Sequence, residues 1–526
     1  MLPELPQRAR EGAARAARRL RRTLRRASPA VAARARGLLH ARGPLKTQQV
    51  IAGAAVLGLV VAGGAVALAG PWDSSGQRAA ERDWAADHAR SPEPGGRGAD
   101  HGHPGGGPAP APSAPPVLAP LGAAGTGSPR AAAGEPQAAL VRLLKPLLDD
   151  ASLGDLRTAS VVDVATGRRL YTRDSDRGLT PASTTKLATA TAALSALGPD
   201  HRFTTSAVLA PDGGRLVLVG GGDPTLTARA DPHGAASLPA LAESTARALT
   251  GRGVHRVSLG YDTSRFTGGA RHPIGVNENL APVTALMVDE GRLDDSSSGP
   301  ADRSTDPARD AARTFAALLR KHGVRVSGKP APARAPEGAK SVASVDSPAL
   351  ASVVERMLTN SDNDIAEALA RQTALATHGA PGFAGGAAAV RAQLARLKMP
   401  LKGAEFHDGS GLDRDDRLTA GLLTSLLAAA GDQDRPELRP VLTGLPVAGF
   451  SGTLKARYGD DTGALGLVRA KTGTLTGVNT LAGTVADADG RVLAFAFMTS
   501  GSASPADTEA ALDRLAAALA DCGCGD

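Results

Sequence analysis

Apolar residues first settle into a regular period at Ala138–Leu148, where Leu140, Leu143, Leu144 and Leu148 share one side at helical spacing. Ala159–Val164 and Arg169–Thr172 then read as a hairpin around Ala165-Thr166-Gly167. A helix is predicted over Ala182–Leu197, stopped by Gly198 and Pro199. A second hairpin joins Thr204–Ala210 to Arg215–Val219 through Pro211-Asp212-Gly213-Gly214. Helical periods return over 238–252, 306–323, 348–359, 384–397 and 419–430, and Ile365, Ala366 and Leu369 mark one more. Strands are predicted at Val468–Leu475, Asn479–Val485 and Arg491–Met498. A last helix covers Pro505–Ala520, with Ser504 as N-cap and Pro505 at the first helical position. Strands near both ends with helices between them predict an α/β body whose sheet is shared by the two chain halves.

The stretch before this body has a different pattern. Val50–Gly70 is an uncharged apolar run, long enough at roughly 1.5 Å per residue to cross a bilayer core. Residues 1–46 carry 13 Lys and Arg against Glu4 and Glu11, a balance of +11 within a chain total of +8. The other 480 residues therefore sum to −3, which argues against a nucleic-acid-binding body. A basic arm before an apolar run fits a cytoplasmic arm (1–46) and a membrane anchor (47–70) under the positive-inside rule, with an extracellular body. The alternative is a secreted protein cleaved near Ala69, since Ala67-Leu68-Ala69 resembles a signal-peptide site. Residues 71–136, dense in Pro and Gly, form a linker with no period. Cys522 and Cys524 are the only cysteines, in a tail (522–526) expected to fray, with no metal-site spacing.

Three short motifs carry candidate chemistry. Ser183-Thr184-Thr185-Lys186 opens a helix, where positions i and i+3 share a face about 5–6 Å apart, so Lys186 can reach the Ser183 hydroxyl. A hydroxyl needs such a base to attack at neutral pH. Ser361-Asp362-Asn363 lies in a loop between helices, where Ser361 can relay a proton and Asn363 can hold an amide. Lys471-Thr472-Gly473-Thr474 lies on a predicted strand. Lys471 supplies positive charge, the hydroxyls of Thr472 and Thr474 can bind a carboxylate, and Gly473 leaves room for a peptide. With only 10 Lys and 5 Asn in the chain, chance would place all three in this order on the order of 1 % of the time. Asp408-Gly409-Ser410-Gly411 reads equally as a second cleft loop or a structural turn; Asp362 reads as a helix cap, His407 as structural, and Asp223 as a turn-former.

The trio resembles that of the penicillin-binding proteins and serine β-lactamases. Leu179–Lys186, Gly220–Leu226, Ala281–Leu286, Asp408–Leu412 and Gly452–Leu454 are similar to one branch, the class C low-molecular-mass penicillin-binding proteins, or D-alanyl-D-alanine carboxypeptidase/endopeptidases. This resemblance spans about residues 138–520. It implies a transpeptidase-like domain, an antiparallel sheet with helices on both sides, built from 137–215 and 335–521, with a smaller inserted domain at 216–334. The gap of 178 residues between the first two motifs implies that a second insert is reduced or absent. It further implies that Ser183 attacks the penultimate D-Ala carbonyl of peptidoglycan stem peptides, Lys186 is the base, and Ser361 and Lys471 pass a proton to the leaving amine. Asn363 would hold a substrate amide, Thr472 and Thr474 the terminal carboxylate, and the backbone N–H groups of Ser183 and Thr474 the oxyanion. No metal or organic cofactor is implied, and β-lactams are expected as covalent inhibitors. The rivals are a serine β-lactamase, for which neither Glu-x-x-x-Asn nor Tyr-x-Asn is present, and a non-catalytic β-lactam-sensing or wall-binding protein.

Overall fold

The computed structural model of the chain describes residues 135–337, 339, 341–459 and 463–523. The expected basic arm, apolar run and linker lie outside them. Among the described residues no helix is long and apolar enough to cross a membrane.

The body opens with α1 (Glu135–Leu148) and the hairpin β1 (Leu156–Asp163) and β2 (Arg169–Arg173). The C-terminal end supplies β8 (Arg469–Leu475), β9 (Val478–Ala486), β10 (Val492–Ser500) and the closing helix α10 (Pro505–Ala520). One antiparallel sheet results, in the order β2-β1-β10-β9-β8, so the two chain ends meet where β1 pairs with β10, Ala159 opposite Phe497. β10 is buried on both faces, which is why its sequence is a continuous apolar run rather than an alternation. Its Leu493, Phe495 and Phe497 pack with Leu140 and Leu144 of α1 and Leu512 and Leu515 of α10. Its Ala494, Ala496 and Met498 face the opposite helical layer.

That layer contains α2 (Thr185–Leu197), α5 (Leu350–Asn360), α6 (Asn363–Ala376), α7 (Phe383–Arg396), α8 (Ala420–Gly431) and the short α9 (Pro440–Thr443). Ten consecutive residues of α2, Thr185 to Leu194, are buried. A helix enclosed on every side needs no polar stripe, and its Ala and Thr side chains let neighbours approach closely. Ser504 caps α10 through the Asp507 N–H, and Pro505 takes its first position as the sequence predicts.

The second sheet has the order β6-β5-β4-β3-β7. It comprises β3 (Thr204–Leu209), β4 (Arg215–Val219), β5 (Arg256–Asp262), β6 (Arg325–Pro332) and β7 (Ser341–Asp346). α3 (Leu238–Thr250) connects β4 to its parallel neighbour β5, and α4 (Pro307–Lys321) connects β5 to β6, so two crossover units share one core of Leu218, Leu241, Leu259 and Phe315. The insert thus runs from about Thr204 to Asp346. β3, expected in the catalytic domain up to residue 215, and β7, expected there from 335, belong to the insert sheet instead, because β3 pairs with β4 on one side and β7 on the other. Strands β5 to β7 were not predicted; β6 holds Gly328 and Pro330, which sequence rules place outside strands, yet it is an edge, where a missing N–H costs nothing. Cys522 is buried and disulfide-bonded rather than frayed, while Cys524 lies outside the described residues.

Candidate active site

The nucleophile candidate is set by a bend. Ala182 has φ +48°, and Ala182–Thr184 form a single 3-10 turn before α2 begins at Thr185. The predicted helix start is therefore a tighter turn, yet it keeps Ser183 and Lys186 adjacent: Lys186 Nζ lies 2.9 Å from Ser183 Oγ. The same nitrogen donates to Asn363 Oδ1 at 2.7 Å and to the Ser410 carbonyl at 2.7 Å. Lys186 is fully buried, and burial brings its pKa down to about 8 against the opposing pull of Asp408, Asp362, Glu367 and Asp364.

Ser361 ends α5 in the left-handed conformation, φ +58°, which a non-glycine residue adopts at a cost of roughly 1–2 kcal/mol. That turn presents its Oγ to Lys471 Nζ at 2.8 Å. Asp362 caps α6 through the Ile365 N–H, as its position predicts, and Asn363 begins that helix. Lys471 on β8 donates to Ser361 Oγ and to the Thr472 carbonyl. It is fully buried, and burial together with the charge of Lys186 pushes its pKa well below the ordinary lysine range. The positive charge expected at Lys471 thus meets a dry site beside a second lysine, which disfavours the ammonium.

Gly473 also has a different reason from the one expected. A Cβ there would stand 2.6 Å from the Pro181 carbonyl, 3.1 Å from Ser183 N and 2.2 Å from Thr480 Oγ1, so glycine admits the Ser183 turn itself. Thr472 Oγ1 bonds Thr453 Oγ1 at 2.8 Å, and Thr474 Oγ1 donates to Glu509 Oε1 at 3.3 Å. Ser183 lines two adjoining hollows. One of about 250 Å³ includes Asn279, Arg303, Ser361, Asn363, Leu412 and Thr474. The other, about 270 Å³, includes Ser361, Thr453, Arg457, Thr472, Thr474 and Glu509. All eight residues singled out from the three motifs thus meet around Ser183, although positions 183, 361 and 471 are far apart in the chain.

Other neighbours were missed. Ser410 enters through its carbonyl, which no side-chain motif reveals; the signal was the Asp408–Leu412 stretch. Thr453 lies in the Gly452–Leu454 stretch. Arg457, paired with Asp513 at 2.6 Å, and Asn279 had no local signal. Two buried groups have metal-like spacing, His272 with Glu367 and Asp408, and Glu290 with Asp362 and Asp364. Their oxygens are already engaged. Asp408 accepts from His272 and from the N–H groups of Ser410, Gly411 and Asp413; Glu367 accepts from Gly409, Ser410 and Arg371; Glu290 and Asp364 pair with Arg356, Arg292 and Arg303.

The D-Ala-D-Ala carboxypeptidase 3 (S13) family model matches residues 140–298 and 294–520. A carboxypeptidase of Mycobacterium tuberculosis is 39% identical over 428 residues, covering 78% of this chain and 90% of that protein. A D-alanyl-D-alanine carboxypeptidase of Actinomadura sp. strain R39 is 32% identical over 468 residues, covering 71% and 83%. Among solved structures, penicillin-binding protein 4 from Haemophilus influenzae superposes with a TM-score of 0.59 at 23% identity, covering 72% of this chain and 98% of its own, and shares the fold. With the family model spanning both halves of the catalytic body, the chain belongs to the D-Ala-D-Ala carboxypeptidase 3 (S13) family and is a serine-type D-Ala-D-Ala carboxypeptidase.

Proposed function

We propose that Ser183 forms the acyl-enzyme and that Lys186, as the neutral amine, is its base. The supporting observation is the set of three oxygens around Lys186 Nζ. A neutral amine has two N–H bonds and one lone pair. The Asn363 and Ser410 oxygens can take the two N–H bonds, which leaves the lone pair facing the Ser183 hydroxyl. Ser183 Oγ attacks the carbonyl of the penultimate D-Ala while its proton passes to Lys186. Collapse of the tetrahedral adduct breaks the peptide bond, and the proton held by Lys186 is relayed through Ser361, in contact with Lys471, to the leaving amine, which returns Lys186 to the free base. Water then releases the acyl group. Backbone N–H groups of Ser183 and Thr474 serve as oxyanion donors, worth about 10²–10³ in rate each. The terminal carboxylate of the substrate fits against the hydroxyls of Thr472 and Thr474. Asn363 can still offer its amide edge to the substrate.

β-Lactams present the same acyl carbonyl and are taken as covalent inhibitors; a Haemophilus influenzae penicillin-binding protein 4 of this fold is solved with one bound. Peptidoglycan cross-links, whose donor D-Ala carbonyl is chemically equivalent, are a second substrate, so endopeptidase action is part of the reading. The basic arm and the apolar run at 50–70 favour attachment to the cell membrane with the catalytic body outside.

The test is incubation with a fluorescent penicillin and, separately, with cross-linked and uncross-linked muropeptides read by mass spectrometry. Stable labelling, lost in Ser183→Ala, together with release of D-Ala is expected. Rapid turnover of the penicillin without retained label would indicate a β-lactamase. Labelling with no muropeptide cleavage would indicate a sensor.

A further inference from the structure

Both carbonyl acceptors that surround Lys186 are held by one segment of the inserted domain. Asn363 Nδ2 donates to the Asn279 carbonyl at 2.9 Å, which turns Oδ1 of the same amide toward Lys186. The other acceptor, Ser410 O, sits in a loop cradled by two buried carboxylates. Glu367 Oε1 accepts from the N–H groups of Gly409 and Ser410, both at 2.9 Å, and Asp408 Oδ1 accepts from Ser410 and Gly411. Gly411 is packed so closely that a Cβ would lie 1.9 Å from the Ala182 carbonyl, next to the nucleophile. Asp408 is in turn bonded by His272 Nε2 at 3.0 Å, with both side chains 1% exposed. His272 Nδ1 accepts from the Ile274 N–H, so Nε2 carries the proton and donates. The same segment grips the start of α6: Ala281 N and Arg303 Nη1 both donate to Asp364, and Glu290 pairs with Arg356 of α5.

We propose that the insert segment from His272 to Arg303 is a positioning part for acylation: it fixes the Asn363 and Ser410 oxygens so that the Lys186 lone pair points at Ser183. The inference rests on Lys186 being the base. It explains a costly arrangement. Buried His, Asp, Glu and Arg side chains are brought together from two domains, and none of His272, Asp408, Glu290 or Arg303 reaches Ser183 itself. The insert is then more than a wall of the substrate cleft, since the two loops that frame the base are both fastened to it.

The acceptors also bear on the proton affinity of Lys186, because they favour the ammonium. The titratable groups facing it are Asp408 from its loop, Asp362, Asp364 and Glu367 from α6 and its cap, and Lys471 from β8, with Asp416 and His272 behind Asp408. A base that loses its grip on Ser410 O loses partners for its charged form, so its titration moves to lower pH while its aim deteriorates. Misplacement by about 1 Å costs on the order of 100-fold.

The experiment measures the second-order rate of acylation by fluorescent penicillin from pH 6 to 9 in the full chain, with thermal denaturation of each variant. His272→Leu is expected to lower the plateau rate about 100-fold and to move the acid limb to lower pH. His272→Gln, which restores an N–H donor, is expected to recover at least about tenfold of the loss. Should the Leu variant fail to fold, Asp408→Asn cuts the same link from the other side, and its plateau rate must fall about 100-fold, since loss of the carboxylate alone already moves the limb. A Leu variant that acylates like the wild type overturns the proposal. So do Leu and Gln variants that are equally slow with the limb unmoved, which is the mark of general damage. A wild type that takes no label refutes instead the serine-lysine reading on which the proposal stands.

Discussion

Burial changes how often Lys186 is available as a base, and the effect is large enough to read in a pH profile. An ordinary lysine, with a pKa near 10.4, is free base about 0.04 % of the time at pH 7. With its pKa at about 8, Lys186 is free base about a tenth of the time at pH 7, half at pH 8 and nine-tenths at pH 9. The sign follows from the mechanism: the neutral amine takes the Ser183 proton, so acylation rises as Lys186 loses its own. The acylation rate constant is expected to climb about tenfold between pH 7 and pH 9 and then level off. Stopped-flow or gel-based measurement with a fluorescent penicillin gives the profile, and Lys186→Ala sets the floor, expected about 10²–10⁴-fold lower. A rate that is flat from pH 6.5 to 9, or one still rising steeply at pH 10, refutes burial as the source of the base. An alanine variant that acylates normally removes Lys186 from the reaction.

Other consequences can be checked separately. Gly473→Ala inserts a methyl group against the Pro181 carbonyl and Ser183 N; it is expected to slow acylation strongly and to cost about 1–3 kcal/mol in urea denaturation, whereas a normal rate would show that the Ser183 turn yields freely. Arg303→Met leaves Asp364 buried without its cation, a loss of about 3–5 kcal/mol at pH 8. The loss should shrink at pH 5, because burial already holds Asp364 at a pKa of about 7 and the acid form needs no cation; equal losses at both pH values would contradict this. Asp416 is held protonated, its pKa pushed up to about 9 by burial and by Asp408. Its unfolded form ionises near 3.8, so the folded state binds the extra proton and wild-type stability falls as pH rises toward 9. Asp416→Asn removes that dependence. Its stability relative to wild type should therefore grow from pH 5 to pH 8, by at most about 1.4 kcal/mol per pH unit.

Much of the catalytic fold was legible because its elements obey simple periods. α1 has a one-sided leucine stripe, α10 has a cap and a first-turn proline, and β9 and β10 are strand-length, largely apolar runs bounded by turns. The insert was less legible. Its hairpin β3/β4 was seen, but membership of a sheet is decided by partners, and β3 is flanked by a strand more than 130 residues away. β5 alternates polar and buried positions over only the first part of its length, and β6 breaks strand rules that an edge position relaxes. Conversely, α2 is buried almost throughout, so hydrophobic patterning alone could not orient it; the serine just before it and the lysine of its first turn did.

The site shows the same division at finer scale. Which residues meet was written in three short motifs, since each needs only a local turn to present its side chain. What they do in a dry pocket was not. A lysine on a strand reads as a positive charge, yet Lys471 stands beside Lys186 with no carboxylate bonded to it, and two ammonium groups there would repel without water to screen them. Lys186, by contrast, has four carboxylates within electrostatic reach, which keep its pKa near the working range instead of letting burial drive it far below. The difference between the two lysines therefore resides in Asp362, Asp364, Glu367 and Asp408, none of them part of the reacting set. These four are in turn tied by Arg303, Arg356, Arg371 and His272, all of them outside the catalytic motifs and two of them in the insert. A base poised near neutral pH is consequently a property of both domains, and replacing the insert by a short linker should abolish acylation even if the catalytic sheet still folds.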